Sequence, residues 1–188
     1  MGFLRNLFGK TQKEDISTPS VEDIENAKKV FFEYSCNHYY MSREGIDFKN
    51  YHISREQEQE WRSEFIAHWI SKLSIDALEA VHRLEGAYAI ESVPELIAVA
   101  EKGDSYAKLW IANAIWTISF KNDTDKDLRK RTRDIAIRLL NSIIESQVQL
   151  SENHRNEIPI VGIKNLGAST PEEYIVNYAK HILKEAQK

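Results

Sequence analysis

Residues 105–120, SYAKLWIANAIWTISF, decide the fold. A helix drawn through them carries Leu109, Ile111, Ala112, Ala114, Ile115, Trp116, Ile118 and Phe120 around most of its circumference. A helix that is apolar nearly all round is buried nearly all round. One stripe alone bears polar atoms: Tyr106, Trp110, Asn113 and Thr117, spaced four, three and four along one helix face. The segment reads as a central helix packed on most sides, its polar stripe turned toward a groove or a buried polar contact.

The flanking sequence supplies helices to surround it. The 188 residues suit one domain with a substantial core, and a chain that is 42% hydrophobic and 29% charged is ordinary for a globular protein. Seven Gly and four Pro are too few for a loop-rich all-β fold. One cysteine, Cys36, excludes an internal disulfide framework and fits a reducing, cytoplasmic compartment. A net charge of −4 gives no general attraction to nucleic acid. No apolar run approaches the roughly 20 residues that span a bilayer, so no stable membrane insertion is expected. Residues 1–19 read as an amphipathic start, MGFLRNLFGK, and a polar linker; the start either docks on the protein's own body or acts as a membrane or partner foot. Residues 20–188 read as a single helical domain.

About seven helices are expected. Thr18-Pro19 is a cap followed by proline, and Val21, Ile24, Ala27, Phe31, Tyr34, His38 and Met41 carry one helix to about residue 42, ended by Gly45. Ile46, Phe48 and Tyr51 anchor a connection. Ser54 opens a second helix with Trp61, Phe65, Trp69 and Leu73 four apart and an acidic outer face. A third starts at Asp76 with Leu78, Val81 and Leu84 buried, and Gly86 suggests a close crossing. Val93-Pro94 opens a short fourth helix, and Asp104 or Ser105 caps the central one. A sixth runs from Asp125 toward Val148 with Leu128, Ile135, Leu139 and Ile143 inward, its first turns basic but interleaved with Asp127 and Asp134. Residues 149–169 read as an apolar cover, with room for a short strand near Ile160. Thr170-Pro171-Glu172-Glu173 starts the seventh helix, carrying Tyr174, Ile175, Tyr178, Ile182 and Leu183.

Residues 92–118, SVPELIAVAEKGDSYAKLWIANAIWTI, resemble one unit of the HEAT-like, armadillo-type helical repeat: a proline-started short helix, an aspartate turn, then a second helix dense in alanine and aliphatics. A fainter copy covers residues 55–90, and a third would begin with the sixth helix. The sequence departs from the family in its bulky Trp110 and Trp116. The resemblance implies an all-α solenoid of stacked antiparallel helix pairs with a concave face lined by second helices, an architecture mostly used for binding.

No nucleophile–base–orienter set is readable, and no cofactor or metal is expected. His38 lacks a second ligand at helical spacing, and Glu64/His68 is a lone i, i+4 pair. The leading expectation is a non-enzymatic protein-binding module. Its groove, between the third helix and the central one, is made by Glu79, His82, Arg83, Tyr106, Trp110, Asn113 and Thr117, a set rich in aromatic and arginine anchors. A small acidic helical-repeat chain of this kind resembles the immunity proteins that block basic bacterial toxins. The alternative is an enzyme: some HEAT-like proteins resemble DNA glycosylases that use tryptophan and aspartate on alkylated bases, which here implies Trp110, Trp116 and Asp104.

Overall fold

The computed structural model describes residues 20–76, 78–121 and 125–186. The amphipathic start, the linker with Thr18-Pro19, Ala77, residues 122–124 and residues 187–188 lie outside the described residues. Within them the chain is all helical, without strands: α1 (Val21–Glu33), α2 (His38–Arg43), α3 (Arg55–Ser71), α4 (Glu79–Gly86), α5 (Val93–Lys102), α6 (Ser105–Lys121), α7 (Lys126–Glu145), α8 (Glu152–Glu157), α9 (Ile160–Asn165) and α10 (Pro171–Ala186). Short 3-10 turns cover Phe48–Tyr51 and Ile90–Ser92.

Side-chain caps fix where the helices begin. Ser20 and Asp23 form a reciprocal capping box at α1. Ser54, Asp125 and Ser151 each accept a backbone N–H at the starts of α3, α7 and α8. At α10 the Thr170 hydroxyl accepts from Glu173 N–H while the Glu173 carboxylate accepts from Ser169 N–H. Asp104 caps α6 through the N–H groups of Tyr106 and Ala107, both 3.0 Å from Oδ1.

The ten helices of the described residues exceed the seven expected at two places. The long first helix is two, because Ser35 (φ 53°) and Cys36 (φ 54°) turn left-handed after Glu33. Cys36 N–H reaches back to Phe31 O (2.7 Å) and Ser35 N–H to Phe32 O (3.1 Å), closing the carbonyl end of α1 in a Schellman arrangement. Asn37 then caps α2 and donates its amide to Gly86 O at 2.6 Å. The same pairing ends α2 at Gly45 (φ 78°), α4 at Tyr88 (φ 50°) and α9 at Gly167 (φ 63°). Residues 149–169, expected as an irregular cover with room for a strand, hold α8 and α9 instead. Ile158 is buried there, but Ile160 is 72% exposed, so the cover is partial.

Helix α6 sits at the centre, against α4, α5, α7 and α10. It divides its apolar surface between two clusters. Ile111, Ala114, Ile115 and Ile118 join Phe31, Met41, Phe48, Trp61, Phe65, Leu84 and Leu96. Tyr106, Leu109 and Ala112 join Leu140, Ile143, Ile158, Ile175 and Ile182. Burial of α6 therefore matches the all-round apolar pattern except at Trp116, which is partly exposed, and at Phe120, which is 65% exposed with the Lys121 ammonium 5.8 Å over its ring. On α7 the buried positions are Thr132, Ala136, Leu140 and Ile143. Ile143 is buried as expected, Ile135 and Leu139 pack partly buried against the core, and Leu128 is exposed.

Gly86 does mark a close approach, to the α1–α2 turn. A Cβ at Gly86 would lie 3.0 Å from Ser35 Oγ and 3.1 Å from Ser35 Cβ.

Candidate functional site

Three of the expected groove residues meet. His82 on α4 stands edge-on to the Trp110 ring of α6, with centroids 5.5 Å apart. Tyr106, one turn earlier on α6, is 6.0 Å from Trp110, also edge-to-face. Such pairs add about 0.5–1.5 kcal/mol each beyond burial. Asn113 and Thr117 continue the stripe, partly buried.

Glu79 and Arg83 belong elsewhere. They pair with each other at 3.7 Å, and the Arg83 guanidinium donates to Glu33 O (3.0 Å) and lies 5.5 Å over the Trp69 ring. Both are engaged on the side of α4 that meets α1 and α3.

Helix α10 supplies residues that the sequence reading placed in a core stripe. Tyr178 meets Trp110 edge-to-face at 5.8 Å, neighbours Tyr174 at 5.8 Å and stacks on His181 at 6.4 Å. The three are spaced four and three, one face of a helix, which is the available signal. Burial raises the Tyr106 and Tyr174 hydroxyls above their ordinary range, and burial followed by the Glu85 charge raises Tyr178. These phenols stay neutral, able to donate as well as accept hydrogen bonds. The result is an aromatic seam across α4, α6 and α10. Within it the buried Trp110 Nε1–H closes no hydrogen bond of ordinary geometry, though it acts on the Tyr106 hydroxyl and opposes its rise; the weak pairing leaves a deficit of up to about 1–3 kcal/mol.

Below the seam lies a polar knot. The Asp104 Oδ2 accepts from Ser151 N–H (2.7 Å) and from His154 Nδ1 (2.8 Å), while Oδ1 caps α6. His154 is 1% exposed and its ring lies 4.9 Å from Tyr106. A carboxylate can only accept, so the imidazole proton sits on Nδ1. Burial pushes the Asp104 carboxyl up, but the N–H donors and the His154 imidazole outweigh it and hold the group below its usual value.

His38 and Glu64, singled out in the sequence, have other neighbours. His38 Nε2 lies 2.8 Å from Glu58, and its ring packs against Phe48. Glu64 is held by Lys28 at 2.6 Å rather than by His68. Among the described residues no group of three His, Cys, Asp or Glu is placed to hold a metal ion. A cavity of about 850 Å³ between the end of α7 and α10 is lined by Ser146, Gln147, Glu172, Asn177 and Lys180 among others, and by none of the expected groove residues. No described helix is long and apolar enough to cross a membrane. Comparison with protein-family models, with curated proteins and with solved structures returns no match.

Proposed function

We propose that the chain is a non-enzymatic protein-binding module built of HEAT-like helix pairs, working as an immunity-type inhibitor of a basic toxin enzyme. The observation that carries this reading is the seam. Trp, Tyr and His from three helices converge on partly exposed positions, the composition in which interface hot spots are concentrated. The chain's net charge of −4 and the Glu85 carboxylate beside His82 suit a cationic partner. The glycosylase-like alternative draws no support from Asp104, whose carboxylate is committed to helix capping and to His154.

Affinity capture from the native cell lysate tests the reading. The comparison is between the wild type and a His82→Ser/His181→Ser variant, which changes exposed rings and spares the core. A protein enriched by the wild type and lost with the variant supports the seam as the interface. Equal recovery would place the interface elsewhere.

A further inference from the structure

Of the three half-exposed tryptophans, two are covered by an arginine of the chain. Trp69, Trp110 and Trp116 are partly exposed, whereas Trp61 is buried. Arg83 lies 5.5 Å over Trp69 and Arg133 lies 4.7 Å over Trp116. Tyr40 carries Arg43 at 5.7 Å. Among the described residues no cation lies over Trp110.

An anion stands against the imidazole that meets Trp110. The Glu85 side chain is only 20% exposed, and its ion-pair neighbour is His82 Nδ1 at 3.6 Å, the same ring that stands against Trp110. Imidazole is a cation only when protonated. Among the described residues no lysine or arginine comes within ion-pair distance of Glu85. The same charge reaches a second ring that meets Trp110: after burial, it is what raises the Tyr178 hydroxyl. On the α2 side it contributes, after burial and Tyr88, to pushing Tyr40 to about 12. Glu85 is therefore a recessed carboxylate on α4, paired with the His82 imidazole and acting on the Tyr40 and Tyr178 phenols, with His82 and Tyr178 both meeting Trp110. A recessed carboxylate is costly until a cation meets it, and aromatic walls favour a flat, weakly hydrated one.

We infer that an arginine side chain of the partner docks at this point, its guanidinium against the Trp110–Tyr178 pair and its charge on Glu85. It supplies in trans what Arg83 and Arg133 supply in cis to Trp69 and Trp116. This rests on the protein-binding reading above and adds the chemistry of the anchor.

The probe is the capped tripeptide acetyl-Gly-Arg-Gly-amide, titrated into the full chain. Binding is followed by the indole N–H resonance of Trp110, assigned by its absence in Trp110→Phe. The resonance is expected to move with the arginine peptide. The response should be about tenfold or more weaker with the neutral citrulline peptide, and likewise in Glu85→Gln, because charge and charge-assisted hydrogen bonds are then lost. The citrulline comparison uses unaltered protein, so it stands even if Glu85→Gln folds poorly. Equal responses to both peptides, an unchanged response in Glu85→Gln, or no movement at all would overturn the inference. The capture assay separates the two proposals: a partner lost with His82→Ser/His181→Ser but kept by Glu85→Gln leaves a protein-binding seam and removes the arginine.

Discussion

Replacing Asp104 by alanine strips one acceptor from four donors at once: the N–H groups of Tyr106, Ala107 and Ser151 and the imidazole of His154. Loss of the α6 N-cap accounts for about 0.5–2 kcal/mol. The His154 Nδ1–H, at a residue 1% exposed, then has no acceptor, which adds about 1–3 kcal/mol. The groups share one carboxylate and are not additive, so a total near 3 kcal/mol is expected. Asp104→Asn keeps the Oδ1 cap but turns an N–H toward the two donors at Oδ2, and about 1–2 kcal/mol is expected for it. Urea titration read by tryptophan fluorescence and by circular dichroism measures both. The pH dependence has a definite sign. The folded-state pKa of Asp104 lies below its unfolded value, so its contribution is complete above the unfolded value, near pH 4, and is lost as pH falls through the folded one. The gap between wild type and Asp104→Ala should accordingly narrow in acid. An Asp104→Ala midpoint equal to wild type at neutral pH, or a gap that widens in acid, would refute this account of the knot.

Other perturbations address the core, the seam and the turns. Ile115 is fully buried, and Ile115→Ala should lose about 2–5 kcal/mol in the same titration. Trp110→Phe removes a weakly paired buried N–H together with some packing, so it should change stability by less than about 1 kcal/mol. Gly86→Ala gains helix propensity but drives a Cβ against Ser35, and a net loss of about 1 kcal/mol is expected. Adding Ser35→Gly clears that contact and relieves a left-handed serine, so the double variant should recover the loss in a double-mutant cycle. Burial pushes the Cys36 thiol up to about 12, so it should react with a disulfide reagent at pH 8 only at the rate of unfolding; fast stoichiometric labelling of native protein would contradict its placement.

Capping residues and apolar periods were readable because each acts within a few positions of itself. Ser54, Asp104, Asp125 and Pro171 stand at helix starts as their chemistry requires, and the all-round apolar stretch is the central helix. The missed break after Glu33 has an equally plain cause. Left-handed C-terminal turns are usually announced by glycine, as Gly45 and Gly167 do. At Ser35 and Tyr88 tertiary contacts hold a non-glycine residue there, through Asn37 on Gly86 O in the first case and the tyrosine contact with Tyr40 in the second. Such support comes from residues distant in sequence and leaves no local mark. The site divides in the same way. His82, Tyr106 and Trp110 lie on facing elements close in the chain, while Tyr178 arrives from α10 with a spacing that fits a core stripe equally well. The α7 face departs from expectation at its start, where Thr132 is buried and Leu128 is not, against their hydrophobic ranking.

The division of α6 between two apolar clusters makes this helix common property. Ile111 and Ile115 commit it to α3, α4 and α5, and Leu109 and Ala112 commit it to α7 and α10. Neither half can keep its interior if the other lets go, since each would expose one flank of the same helix. A chain cut between residues 121 and 125 would yield two pieces, each missing the other's surface, and their recombination would restore both interiors at once. Slow hydrogen exchange along α6 would then report the stability of the whole assembly rather than of either side.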